Sequence, residues 1–307
     1  MRYPGQTLVR LPPNWVGRDF YVGDLHGCTR HLEVLLKAVQ FDRTVDRLIS
    51  VGDLIDRGPD SWGATALIDE PWFHGILGNH EVFALACAKV EPFTGWRDVM
   101  RYSGAWQRGL PPDQQALLVE RLNSLPAALE IEQLDGRRFG VIHGQISSRP
   151  GWSLLSSLGR DDLSPNGRFG ESVISNLFLG REQWQTAQTA LGLDRYSGST
   201  WPWRRWNSRE YQRLACATRG IDLMISGHSI ILNWRPLAIG NRLAIDTGAF
   251  YPTGRLSLVD PVSWRYWQVG WRKDLKRPRF SVAARRLPVP LNSWQLRALG
   301  LMPREAD

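Results

Sequence analysis

Cysteine is scarce in this chain, and lysine is scarce for a chain this basic. The 307 residues contain three cysteines, Cys28, Cys87 and Cys216, widely spaced and odd in number. That pattern excludes a disulfide framework and a thiolate zinc site, and a reducing, cytoplasmic setting is the default expectation. Lys37, Lys89, Lys273 and Lys276 are the only lysines, so arginine carries most of the net charge of +8. Such a charge suits an anionic partner or substrate, or it reflects a compositional bias. No apolar run reaches the ~20 residues needed to span a bilayer, so no membrane partner is expected. The N-terminus also lacks the apolar core of a signal peptide. Repeats, low-complexity blocks and clear linkers are missing as well. With 43% hydrophobic residues the chain can bury a large core, which argues against disorder.

What is present is a strand-then-loop pattern used three times. Leu48-Ile49-Ser50-Val51 reads as a buried strand, and it runs into Gly52-Asp53-Leu54-Ile55-Asp56-Arg57-Gly58. Upstream, Asp19 to Val22 runs into Gly23-Asp24-Leu25-His26-Gly27; downstream, Gly75-Ile76-Leu77 runs into Gly78-Asn79-His80-Glu81. Carboxylates and imidazoles at the C-terminal mouths of strands sit where open α/β sheets gather their ligands. A guanidinium beside them adds a fork of donors suited to phosphate.

The rest of the chain extends this pattern. Residues 1–18 read as an irregular arm. Helices are expected over Thr29–Val39, with Thr29 as cap, from Ser61 through Ile68, over Val82–Val90 and over Asp113–Leu125. Strands are expected over Phe73–Leu77, Ala128–Ile131, Arg138–Ile142 and Leu223–Ser226, with the second and third of these joined at Asp135-Gly136. Arg138–Ile142 ends on His143, and Leu223–Ser226 delivers His228. Three more strands, Arg242–Asp246, Arg255–Val259 and Arg265–Val269, look like a second sheet closing a sandwich. His31 is expected at the surface, while His74 and Cys28 read as structural. Residues 145–215 break the rhythm with Ser/Gly/Asp/Asn-rich loops, a helical piece near Arg181–Leu191 and the cluster Trp201-Pro202-Trp203-Arg204-Arg205-Trp206. That cluster fits a lid over a phosphate better than a stacking surface for single-stranded nucleic acid. A short helix is expected near Ser293–Leu299. One catalytic domain, 1–271, with an internal insertion at about 145–215 and a basic extension, 272–307, is the simplest organisation.

Gly-Asp-x-His-Gly, Gly-Asp-x-x-Asp-Arg-Gly and Gly-Asn-His-Glu resemble the signature of the PPP-type metallophosphatases, the calcineurin-like metallophosphoesterases. The likeness is to the bacterial and bacteriophage lambda serine/threonine protein phosphatase branch. Glu70-Pro71-Trp72-Phe73, Ser226-Gly227-His228 and Ile245-Asp246-Thr247-Gly248-Ala249 resemble that branch too. The fold this implies is α/β: a two-sheet sandwich flanked by helices, with strand-end loops carrying a metal site.

Asp24, His26, Asp53, Asn79, His143 and His228 are all oxygen or nitrogen donors, which suits a hard or borderline cation. Six donors exceed what one catalytic ion with open positions can use, so two divalent ions are expected, Mn²⁺ first, with Fe or Zn as alternatives. The resemblance assigns Asp24, His26 and Asp53 to one ion and Asp53, Asn79, His143 and His228 to the other. Asp53 is then the bridge, and a hydroxide shared by the ions is the nucleophile. It also makes His80 the general acid, oriented by Asp56. Arg57, Asn79 and Arg205 would face the phosphate, with Arg204 and Arg209 as rivals to Arg205.

A phosphomonoesterase acting on phosphorylated protein or peptide, serine/threonine or dual in specificity, is the leading expectation. A symmetrical dinucleoside tetraphosphate hydrolase is the nearest alternative. Its second motif resembles Gly-Asp-x-x-x-Arg-Gly without the aspartate found here at position 56, and its third motif ends in Asp where this chain has Glu81. A basic binding module without turnover, for nucleic acid or a phosphoprotein, is the remaining class; a nucleic-acid partner is not expected. Sequence leaves the oligomeric state open.

Overall fold

A strand buried on both faces needs cover on both, and the chain supplies it with two six-stranded sheets packed face to face. The computed structural model describes residues 2–97, 106–146, 151–190, 193, 217–271 and 283–288. One sheet contains β1 (Leu8–Leu11), β5 (Ala128–Glu132), β6 (Arg138–Ile142), β7 (Leu223–Ser226), β8 (Leu237–Ile239) and β9 (Arg242–Ala244). Its spatial order is β1-β5-β6-β7-β9-β8. The other contains β2 (Asp19–Val22), β3 (Arg47–Ser50), β4 (Phe73–His74), β10 (Arg255–Asp260), β11 (Arg265–Gly270) and β12 (Arg285–Arg286). Its order is β12-β11-β10-β2-β3-β4.

Side chains alternate between the two sides of each strand. Tyr21, Ile49, Val141, Ile225 and Val259 point between the sheets and form the inner core. Phe20, Val22 and Leu48 point outward against Leu32, Leu35 and Leu36 of α1 (Thr29–Ala38). The remaining helices are α2 (Ser61–Ala66), α3 (Asn79–Cys87), α4 (Pro112–Asn123), α5 (Ser153–Ser157), α6 (Glu171–Leu179) and α7 (Glu182–Ala190). No helix among the described residues is long and apolar enough to cross a membrane.

Strand direction places the site. β2, β3 and β4 run parallel, so their C-terminal ends lie along one edge. β6, β7 and β9 run parallel in the facing sheet.

Several expectations need correcting. The N-terminal arm is not wholly irregular, because β1 pairs in parallel with β5. Cys28, not Thr29, occupies the cap position of α1, and the Thr29 hydroxyl instead donates to Asp60 at 2.6 Å. Phe73 to Leu77 is not all strand: the ladder stops at His74, and the Leu77 amide donates to the Pro126 carbonyl. α3 begins at Asn79, three residues earlier than the apolar pattern indicated, so Asn79 and His80 sit in a helix's first turn. The last strands do not form one closing sheet. Arg242–Ala244 joins the first sheet, while the β10–β11 hairpin pairs with β2 in the other. His31 is not on the surface; it is buried edge-on against Trp271, with ring centroids 4.2 Å apart. His74 and Cys28 are buried, as expected.

Candidate active site

The loops that follow the parallel strands converge at the edge where the two sheets meet. β2 delivers Asp24 and His26, β3 delivers Asp53, Asp56 and Arg57, and β4 leads to Asn79 and His80 at the start of α3. β6 delivers His143 and β7 delivers His228. All of these except Arg57 are buried. The turns are tight enough to force unusual backbone: His26, Asp53, Asp56, Arg57 and His228 all have positive φ, from 44° to 69°. Non-glycine residues adopt that region at a cost, and such outliers concentrate at functional sites. Gly52 (φ 93°) and Gly78 let the loops approach; a side chain at Gly78 would collide with the Asp53 carboxylate.

Asp53 lies at the centre. Its Oδ1 is 3.3 Å from His143 Nε2, and its Oδ2 is 3.6 Å from His26 Nε2 and 3.9 Å from His80 Nε2. The outer nitrogens of two of these rings are fixed by main-chain carbonyls: His26 Nδ1 to Ile55 at 2.9 Å and His143 Nδ1 to Val51 at 2.8 Å. A ring that donates from Nδ1 turns the lone pair of Nε2 inward, the arrangement of metal-ligating histidines. Asn79 Oδ1 lies 3.1 Å from His143 Nε2. The Asp24 carboxylate accepts the His228 amide at 3.0 Å.

Among the described residues, two groups of donor atoms are close enough to hold a cation: His26, Asp53 and His80, and Asp53, His143 and His228. Asp53 belongs to both. Asp24, assigned with the first group from sequence, faces the His228 amide, and His80 Nε2 lies beside that group.

The electrostatics also call for positive charge. Asp24, Asp53 and Asp246 are buried together. Burial and the neighbouring Asp246 and Asp53 push the Asp24 carboxyl well up, and burial above all raises Asp246 to about 6. Burial also opposes charge on Asp53, but the surrounding His143 and His80 hold it well below the usual carboxylate range. Buried like charges destabilise one another unless a cation joins them. Oxygen and imidazole donors with no thiolate among them fit a hard or borderline divalent ion.

His80 is set up to hold a proton. Its Nδ1 meets Asp56 Oδ2 at 2.6 Å, and the other Asp56 oxygen accepts Trp106 Nε1 at 2.6 Å. Burial works against charging His80, but Asp53 and Asp56 outweigh it, and its pKa is raised. Arg57 is exposed, with its guanidinium 4.7 Å from the Phe250 ring centroid; Phe250 in turn packs edge-on against His26 at 4.9 Å.

Three contributors were not assigned these parts from sequence. Glu81 is fully buried, and its carboxylate accepts the amides of Asp53, Leu54 and Gly78 at 2.8 Å and Ile55 at 3.3 Å. Burial first, then Asp53, raises its pKa to about 7, while the amides pull the other way. An all-donor surround is what an ionised carboxylate requires. Trp106 orients Asp56. Arg181 precedes α7 and donates from Nε to His228 Nε2 at 2.8 Å. Gln145 fixes that turn, since its Oε1 accepts the Gln183 amide and its Nε2 donates to Asn176. The available signal was the place of Arg181 at the head of the helical piece expected near Arg181–Leu191; the observed helix begins one residue later, at Glu182. Arg204, Arg205 and Arg209, with the whole tryptophan cluster, lie outside the described residues. So do Cys216 and the helix expected near Ser293–Leu299.

The sequence profile of the family described as calcineurin-like phosphoesterase matches residues 20–231. The chain belongs to this family. It is therefore a metallophosphoesterase, of a family that uses divalent metals. Three relatives show how the likeness is distributed. A Salmonella typhimurium protein named serine/threonine-protein phosphatase 1 is 43% identical over 117 residues, 38% of this chain and 52% of that one. Against that relative, the chain matches only about half of its length. Escherichia coli serine/threonine-protein phosphatase 2 is 30% identical over 83% of this chain and 97% of its own length. A symmetrical bis(5'-nucleosyl)-tetraphosphatase of Pseudomonas fluorescens is also 30% identical, over 78% of this chain and 87% of its own. The metallophosphoesterase is thus similar, over most of its length, to proteins that carry two different names.

Proposed function

We propose that this metallophosphoesterase is a phosphoprotein phosphatase that hydrolyses phosphoserine and phosphothreonine, with latitude for phosphotyrosine. The observation that carries the reading is the 2.6 Å pair between His80 and Asp56 beside Asp53, a buried, proton-bearing imidazole at the donor cluster. Asp56 is the residue that the tetraphosphatase-type motif lacks, and the Escherichia coli relative supports the same reading along almost its whole length.

In this reading one divalent ion takes Asp24, His26 and Asp53, and a second takes Asp53, Asn79, His143 and His228, with Mn²⁺ as the expected metal. Bound there, the ions supply Lewis acidity and an acidified water. The chain's own groups do the rest. His80 keeps a proton for the leaving alkoxide, which is typically worth ~10²–10⁴ in rate. Asp56 orients the ring and favours its charged form, and Trp106 holds Asp56 from behind. Arg57 meets the phosphoryl oxygens with a planar fork of donors, and Arg181 is the second guanidinium within reach. Glu81 braces the Asp53 and Asn79 loops against each other.

The second reading, a symmetrical dinucleoside tetraphosphate hydrolase, is favoured by the Pseudomonas fluorescens relative. One experiment separates them: metal-stripped protein, resupplied with Mn²⁺, is assayed on a phosphothreonine peptide, a phosphotyrosine peptide and diadenosine tetraphosphate. Phosphate release from the peptides, dependent on Mn²⁺ and lowered at least ~100-fold in Asp53→Asn and His80→Asn, is the expected result. Turnover of the dinucleotide alone would replace the first reading with the second.

A further inference from the structure

Next to the donor cluster lies a cavity of about 320 Å³, lined by Arg181, Gln185, Ser229, Leu232, Trp234 and Tyr251 among others. It begins where the site ends. Arg181 donates to His228, Ser229 follows His228 in the chain, and Tyr251 follows Phe250, on which Arg57 rests. Its size reaches the lower end of the ~300–1,000 Å³ typical of small-molecule sites. Among the described residues, no carboxylate lines it.

Its walls combine flat apolar surface with unused polar groups. The Trp234 and Tyr251 rings lie 6.0 Å apart at 45°, and Tyr251 packs on Phe250 at 4.2 Å. Trp234 is held in place by strained backbone at φ 58° and by its carbonyl, which accepts Gln268 Nε2 at 2.7 Å. Tyr251 is 40% exposed, so part of its side chain is open to an occupant. Ser229 is 3% exposed, and its buried hydroxyl has no hydrogen-bond partner among the described residues. A buried hydroxyl without a partner is costly unless whatever occupies the cavity supplies one. Gln188, by contrast, is already committed, to the Ile230 carbonyl and the Leu232 amide.

We infer that this cavity is a leaving-group subsite that receives a planar aromatic ring carried by the group that leaves when the phosphoryl bond is hydrolysed. The inference rests on the phosphoester-hydrolase reading of the adjacent site and adds what that site selects. Trp234 and Tyr251 pack against the ring, and Arg181 spans the junction between ring and phosphoryl group. The ring has two sources: a phosphotyrosine side chain or the base of a nucleotide. Ser229 distinguishes them, because a base presents polar atoms at its rim and a phenyl ring does not.

The test compares kcat/KM for phosphotyrosine and phosphoserine peptides of one sequence, and for diadenosine tetraphosphate, in wild type, Trp234→Ala, Trp234→Phe, Tyr251→Ala and Ser229→Ala. Calorimetric binding of phenyl phosphate and adenosine 5'-monophosphate is measured in parallel. Removing an aromatic wall is expected to lower the preference for a ring-bearing substrate over phosphoserine by roughly 3- to 10-fold, with Trp234→Phe retaining most of it. Loss confined to the tyrosine arm identifies a tyrosyl ring. Loss in the nucleotide arm, shared by Ser229→Ala, identifies a base. An unchanged preference together with unchanged binding of both ring probes overturns the subsite. If no substrate is turned over, the catalytic reading fails, and the binding measurements still decide whether the cavity takes a ring.

Discussion

A carboxylate sealed from water persists only if its neighbours supply donors, and Glu81 shows what that arrangement achieves. One side chain collects main-chain amides from two separate loops, so the spacing between Asp53 and Asn79 is set by a group that need not touch a ligand. Glu81→Gln replaces an acceptor-only end with one that must place a donor against these amides. The expected cost is about 1–3 kcal/mol of stability, read by urea denaturation of metal-free protein. A 10- to 100-fold weaker hold on metal, on the order seen for such supporting contacts, is expected by chelator competition. Trp106 allows a subtler test. Trp106→Phe keeps the ring and deletes the bond to Asp56, so kcat should fall a few-fold with little change in KM. A matching rise in KM would mean that Trp106 contacts substrate instead. Glu81 stands in the third motif, but its bonds to the Asp53 loop, 28 residues back, were not legible there; Trp106 carries no mark at all, because Asp56, which it serves, is 50 residues away.

At the scale of elements, the readable part of the sequence is what repeats locally. Short apolar runs before Gly-Asp or Gly-Asn gave β2, β3 and the approach to α3, and His143 and His228 stood at the ends of equally plain strands. What stayed hidden depended on partners elsewhere. β1 carries only Leu8–Leu11 in a Pro-rich arm and becomes a strand because β5 accepts it. α5 and α6 fall in a stretch whose Ser, Gly and Asn suggested loops; α6 is held through the Asn176 and Leu177 carbonyls, which accept the Gln145 and Gly144 amides. Arg181 was overlooked for the same reason, since its place depends on that packing. The cap of α2 provides a test of local chemistry. Asp60 accepts the Gly63 amide at 2.9 Å and the Thr29 hydroxyl at 2.6 Å, tying α2 to the start of α1. Asp60→Ala is expected to cost about 1–2 kcal/mol in the urea midpoint, and Thr29→Ala less. Equal stabilities for Asp60→Ala and wild type would show that the cap contributes nothing.

For the whole molecule, acid sensitivity is built in away from the site. Burial lowers His31 to about 4 and His74 to about 3, from an ordinary value of 6.5. Both are neutral in the fold and charged in the unfolded chain between those values, so the unfolded chain binds more protons there. Stability therefore falls as pH drops through 6.5, and the loss is complete only below the native values. For His31 alone the loss amounts to about 3 kcal/mol. His31→Leu should flatten the decline in the urea midpoint between about pH 7 and pH 5. An identical decline in that variant would place the acid sensitivity elsewhere.

β2 lies in the middle of its sheet, yet one of its two neighbours, β10, is nearly 240 positions further along the chain, and it pairs through Tyr21 with Val259 and Val22 with Leu258. Until that late hairpin arrives, β2 presents an open edge of unpaired amides and carbonyls flanked by apolar side chains. Such edges recruit strands from other molecules. During synthesis, the strand that leads into the first metal-type motif thus waits for its partner until the C-terminal hairpin is made. A chain stopped at residue 254 should accumulate in the insoluble fraction, although it contains every residue of the proposed metal site.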